Sequence, residues 1–226
     1  MKLGVLFSGG KDSVFACYKA MQANDVVCLI TITSENLASY MFHTPNIGLT
    51  KLQAKAIGLP LMNIKTKGVK EEELEDLEKA IQSAKKKYKI DGIVTGAIQS
   101  VYQASRIKKI CDKLKLECIN PLWQVDQKQY MGELISAGFK VIISGVASYP
   151  FTEEWLGKEI NDKTISELLE LNKKYKITLS GEGGEFESLV LDCPIFKKRI
   201  EIVSALKEFE NYAGVYKIEK AKLVEK

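Results

Sequence analysis

Apolar positions along the chain follow two rhythms, and each predicts its own elements. Short apolar runs without helical spacing, at Leu3 to Phe7, Val26 to Thr31, Leu61 to Ile64 and Gly92 to Thr95, read as buried strands. Between them a 3.6-residue spacing marks helices near Ser13 to Ala23, Ile47 to Ile57, Glu71 to Lys87 and Val101 to Lys115. The third helix is the plainest, with Leu74, Leu77, Ile81, Ala84 and Tyr88 on one face and charges opposite. Strands alternating with helices predict an α/β fold built on a doubly wound parallel sheet of the Rossmann-like kind. Such sheets take ligands at the carboxyl ends of their strands, where Ser8 to Ser13, Thr31 to Thr33 and Thr95 to Ala97 would fall.

Past Pro121-Leu122-Trp123 the pattern continues with a helix near Gln127 to Ser136 and a strand from Lys140 to Gly145, and then it changes. A segment around Trp155, a helix from Asp162 to Tyr175, a loop from Ser180 to Ser188 and strand-like runs at Leu189 to Asp192, Arg199 to Ser204 and Val215 to Lys222 predict a smaller α+β lobe. The division is placed between residues 123 and 124, giving segments 1–123 and 124–226.

Composition narrows the class. With 226 residues, 46% of them apolar, the chain has ample material for a core. No stretch reaches the ~18 apolar residues of a membrane span, and the first residues run straight into strand-like sequence, so a cytoplasmic protein without membrane contact is expected. A net charge of +4 is modest, and the run Lys85 to Lys87 falls on the outer face of an amphipathic helix, so no direct nucleic-acid contact is expected. Cys17, Cys28, Cys111, Cys118 and Cys193 form no Cys-x-x-Cys pair. That spacing offers neither a structural zinc site nor the paired thiols of sulfur transfer.

The first strand opens into Ser8-Gly9-Gly10-Lys11-Asp12-Ser13. Gly9 and Gly10 let the backbone approach an anion, and the following helix start offers N–H groups and a positive dipole end. Lys11 adds a point charge and Ser13 a hydroxyl donor. Neither a Walker A spacing nor Gly-x-Gly-x-x-Gly is present. The turn reads as a pyrophosphate cradle, against the plainer alternative of a strand-to-helix turn with no ligand. A second constellation, Gly181-Glu182-Gly183-Gly184-Glu185-Phe186-Glu187-Ser188, packs three carboxylates and three glycines into eight residues. It is either an exposed acidic turn or a site for Mg²⁺ on a nucleotide or for an attacking amine.

Ser8 to Ser13 resembles the signature of the N-type ATP pyrophosphatases, which cleave ATP between its α and β phosphates. Four further motifs extend the likeness: His43-Thr44-Pro45-Asn46, Gly96 to Arg106, Pro121-Leu122-Trp123, and Gly181 to Ser188. Together they resemble the diphthine–ammonia ligase branch of that family, in its compact archaeal form; Ser188 stands where the family often has Thr. The resemblance implies ATP with Mg²⁺ as cofactors, ammonium as nitrogen donor, and diphthine on translation elongation factor 2 as acceptor. An acyl-adenylate is the implied intermediate. Segment 1–123 would then bind the nucleotide and 124–226 the substrate; a homo-oligomer is compatible with this.

On that implication Ser8, Gly9, Gly10, Lys11, Asp12, Ser13, Thr31, Ile32 and Gly96 contact ATP. His43, Tyr102, Arg106, Glu182, Gly183, Gly184, Glu185 and Glu187 face the acceptor side. Lys11, Asp12, Glu185 and Glu187 carry the chemistry, the glutamates by binding ammonium and taking its proton before attack. His43 is the only histidine and residue 2 is Lys, so the chain has neither a Cys–His glutaminase pair on a dedicated domain nor an N-terminal Cys nucleophile, and free ammonium is the simpler donor. Two alternatives keep the same turn: an adenylating RNA-modification enzyme, and a non-catalytic ATP-binding sensor.

Overall fold

In a computed structural model that describes residues 1–36, 45–69 and 72–226, the first half forms a five-stranded parallel sheet. Its strands are β1 (Lys2–Leu6), β2 (Asp25–Ser34), β3 (Leu61–Thr66), β4 (Gly92–Val94) and β5 (Glu117–Ile119), in the order β3-β2-β1-β4-β5. Helices α1 (Lys11–Met21) and α2 (Thr50–Ile57) contribute to the apolar cluster on one face of this sheet, with Val14, Phe15, Ala54 and Ile57. Helices α3 (Glu72–Tyr88) and α4 (Val101–Lys113) fill the other with Leu77, Ala80, Ile81, Ile107 and Ile110. The chain builds outward from β1 to β3 and then returns to the far side of β1 as β4. The crevice between the carboxyl ends of β1 and β4 is therefore the point where the winding reverses, the place such sheets hold ligands.

The second half holds α5 (Gln127–Ser136), α6 (Asp162–Tyr175) and an antiparallel sheet of β6 (Lys140–Ala147), β7 (Phe186–Asp192), β8 (Arg199–Glu210) and β9 (Ala213–Val224), in the order β7-β6-β9-β8. One apolar cluster runs through both halves. Phe15 of α1 meets Phe139 edge-on at 5.2 Å and Tyr130 of α5 at 5.5 Å, and the Lys197 amide donates to Ala56 of α2 at 2.7 Å. Asn46 adds a further tie, its side-chain amide donating to the Tyr216 carbonyl and accepting from the Ile218 amide, both at 2.9 Å. Among the described residues no helix is long and apolar enough to cross a membrane.

Three expectations change. Phe186 to Ser188, read as loop, opens strand β7, because buried Phe186 and Ser188 alternate with the more open Glu187 at the two-residue period of a strand. Strand β5 was not foreseen, since three residues carry too little pattern to register. The last hairpin is longer than its apolar runs: β8 continues to Glu210, where apolar alternation fades and ion pairing such as Glu208–Lys217 at 2.9 Å crosses between the strands.

Candidate active site

The turn after β1 is knitted by one side chain. The Ser13 hydroxyl accepts from the Ser8 and Gly9 amides, each at 3.2 Å, and donates to the Gly10 carbonyl at 3.1 Å. Gly9 takes φ +82°, a left-handed value that favours glycine, and an added Cβ would stand 2.2 Å from Gln53 Oε1. Gln53, wholly buried, ties the Gly9 carbonyl at 2.9 Å to the Val190 carbonyl of β7 at 2.8 Å, donating to both. Strand β7 completes the turn directly as well: the Val190 amide donates to Gly9 at 3.1 Å, and the Lys11 amide donates to the Ser188 hydroxyl at 3.1 Å. Sequence reasoning missed Gln53, for nothing in its local pattern distinguishes it from a helix-face glutamine.

Lys11 is only 2% exposed. Its ammonium donates to both Asp12 oxygens at 2.9 Å and to the Ser180 carbonyl, with the Phe186 and Tyr130 rings 5.5 and 5.9 Å away. The Tyr130 hydroxyl donates to Asp12 Oδ1 at 2.7 Å. Burial, reinforced by the Asp12 charge, pushes the Tyr130 phenol well above its usual range. It stays a donor at every ordinary pH.

The acidic loop faces this turn across a recess of about 370 Å³, a size that suits a small ligand. Ser8, Lys11, Asp12 and Ser13 line one side; Glu182, Gly183, Gly184 and Glu187 line the other; Leu6, Ile30, Ile32, Leu77 and Ile107 form an apolar wall. Glu182 accepts from the Gln99 amide at 3.1 Å, and the Ser180 amide donates to Gln127 at 3.2 Å, which ties the loop to the β4–α4 connection and to the start of α5. Burial first, then the Asp12 charge, raises the Glu182 carboxyl. Glu187 keeps open surface toward the recess but is enclosed on its other sides. That enclosure pushes its carboxyl up to about 7, with the Asp12 and Glu182 charges adding to the shift and the Lys11 charge opposing it.

Gly96 also lines the recess, pressed against the start of α1. A Cβ there would lie 2.7 Å from the Asp12 carbonyl carbon and the Ser13 nitrogen. Gly96→Ala is expected to push α1 back, costing about 1–3 kcal/mol in denaturant unfolding and weakening nucleotide binding in the same protein.

Other expected residues stand elsewhere. Thr31 is buried on the opposite side of β2 from Ile30 and Ile32, its hydroxyl donating to the Phe7 carbonyl at 2.6 Å, as the two-residue period of a strand requires. Gly9 and Gly10 shape the turn but do not line the recess. At α4 the capping Ser100 together with Gln103 and Ile107 lines the recess, while Arg106 lies over the Tyr102 ring at 3.4 Å. His43 lies outside the described residues. Trp155 packs edge-on against Phe151 at 5.1 Å.

Glu185 turns away from the recess. Its two oxygens accept from the Thr178 amide at 2.6 Å and the Thr178 hydroxyl at 2.8 Å, and that hydroxyl accepts from the Gly183 amide, which closes the loop on itself. Glu185→Gln is expected to hold turnover within about tenfold; a fall of the ~10²–10⁴-fold typical of a general base, with ATP binding intact, would return Glu185 to the chemistry.

A phosphate-sized turn, buried lysine and carboxylate-lined mouth at the reversal point of a parallel sheet define a nucleotide-binding α/β protein of the pyrophosphate-loop class. Comparison with known proteins refines this. Residues 1–118 match the family model "Diphthamide synthase N-terminal domain", and residues 126–224 match "Diphthamide synthase C-terminal domain". The diphthine–ammonia ligase of Bos taurus is 37% identical over 228 residues, covering 91% of this chain and 84% of the bovine protein. That of Homo sapiens is 35% identical over 228 residues, covering 91% and 84%. A solved structure titled as a predicted subunit of tRNA methyltransferase from Methanocaldococcus jannaschii overlays at a TM-score of 0.44 with 17% identity, covering 86% of this chain and 98% of that one, a likeness too shallow to bear on function. The chain belongs to the diphthamide synthase family.

Proposed function

We propose that this chain forms diphthamide by joining ammonia to the diphthine carboxylate of translation elongation factor 2, driven by ATP. A carboxylate does not yield to ammonia in water until one oxygen becomes a good leaving group. In the proposed first step the diphthine carboxylate attacks the α-phosphorus of ATP, forming the acyl-adenylate and releasing pyrophosphate. In the second, ammonia adds to the acyl carbon and AMP departs with the former carboxylate oxygen, leaving the amide and a proton.

The observation that carries this reading is the meeting of Ser8 to Ser13 with Glu182 and Glu187 across one recess. Lys11 and the α1 N-terminus would offset charge on the leaving phosphates, and the apolar wall suits a nucleobase. Glu187, with Glu182 beside it, would bind ammonium and take its proton, while Glu185 shapes the loop. Segment 1–123 would serve the nucleotide and 124–226 the acceptor, although β7 belongs to both tasks.

Among the described residues no three His, Cys, Asp or Glu side chains gather as a metal cage. Mg²⁺ commonly binds through one or two carboxylates plus substrate phosphates. Asp12, at the phosphate turn and half-buried, fits that pattern, and the ion would add charge neutralisation there.

The test uses diphthine-bearing elongation factor 2 with ¹⁸O in the side-chain carboxylate, ATP and ammonium. Amide formation with one labelled oxygen recovered in AMP is the expected result. Label recovered in inorganic phosphate, or amide formed without ATP, would sink the reading.

A further inference from the structure

The Lys11 ammonium already has three acceptor oxygens around it. Two belong to Asp12, both at 2.9 Å, and the third is the Ser180 carbonyl, as many acceptors as the group has hydrogens. A phosphate arriving at the turn therefore competes with Asp12 for Lys11. An abandoned, half-buried carboxylate would resist that exchange, because a charged acceptor left short of donors is costly. Tyr130 offers a donor that does not depend on Lys11. Its ring is wholly enclosed against Phe15, and its hydroxyl reaches Asp12 Oδ1 at 2.7 Å.

We infer that Tyr130 is a positioning residue that keeps Asp12 satisfied when Lys11 turns from it to an incoming polyphosphate. The inference rests on the reading that the Ser8 to Ser13 turn receives phosphates. Tyr130 comes from α5, in the second half of the chain, and acts on the ligand only through Asp12. Without its hydroxyl, Asp12 would hold Lys11 more tightly and the phosphate would gain less from it.

The probe is inorganic pyrophosphate alone, without divalent cation, titrated calorimetrically into the full chain. Tyr130→Phe, which keeps the ring, should weaken binding by up to about tenfold, the scale of one hydrogen bond to a charged group, in a protein that melts lower than the parent but stays folded at the titration temperature. Asp12→Asn should bind at least as tightly as the parent, and the double variant should match Asp12→Asn alone. Unchanged binding in Tyr130→Phe, or a penalty that persists in the Asp12→Asn background, overturns the inference; so does a parent protein that binds no pyrophosphate. If Tyr130→Phe does not fold, Asp12→Asn decides, since weaker binding in that variant contradicts competition for Lys11. The expected binding pattern without label transfer from diphthine would leave this inference standing and remove the amidation reading instead.

Discussion

Replacing Glu187 with Gln is expected to slow amide formation by about 10²–10⁴-fold while ATP binding persists. Glu187 faces the recess, and enclosure lifts its carboxyl from an ordinary 4.5 to about 7. A base with that value is about half ionised at neutrality, so the amidation rate should climb as pH rises through 7. Gln cannot titrate, and the climb assigned to this group should vanish in the variant, leaving only the slope from ammonium's own deprotonation. Stability runs the opposite way. The folded protein holds a proton on Glu187 that the unfolded chain has already released, so this group's contribution is complete below its ordinary value and is lost as pH rises through about 7. The Gln variant escapes that loss and should melt no lower than the parent at pH 8. A rate profile that keeps its limb near 7 in Glu187→Gln would assign the proton transfer elsewhere.

Lys11→Ala should lower the adenylation step about 10²–10³-fold, the scale of removing one preorganised charge donor from a transition state. Isotope exchange between labelled pyrophosphate and ATP in the presence of the acceptor measures that step without ammonia. The loss has two parts. The cation disappears, and Asp12 is left with Tyr130 as its hydrogen-bond donor, which makes the turn more negative where phosphates must settle. Lys11→Arg should not restore exchange, because a planar guanidinium cannot fill a slot cut for a compact ammonium between Asp12, the Ser180 carbonyl and two aromatic rings. Exchange within tenfold of the parent in Lys11→Ala would remove the lysine from the chemistry.

What could be read ahead of the structure was whatever repeats locally. Helices α5 and α6 fall where their spacing put them, and the parallel sheet follows from alternation. Ser8 to Ser13 was legible because its residue types are bound to one turn. Contacts between distant segments left no local trace. Gln53 and Tyr130 sit in ordinary helical patterns, and only the packing of β7 and α5 against the turn gives them a part. The three glutamates of the acidic segment looked equivalent in sequence. Glu187 lines the recess, Thr178 captures Glu185, and the Gln99 amide holds Glu182. The inward turn of the Thr31 side chain is hidden in the same way, since a run of strand residues does not say which face each one serves until neighbouring elements cover the sheet.

The hydrogen bond from Lys11 to Ser188 joins residues separated by 177 positions. On a ribosome adding about 5–20 residues per second, the lysine emerges roughly 9–35 s before the strand that finishes its turn. Through that interval the early half can wind its sheet, yet the turn after β1 lacks a wall. A ligand of this recess is therefore a poor template for the nascent chain and a good one for the finished molecule, and maturation of the site is timed by the arrival of β7.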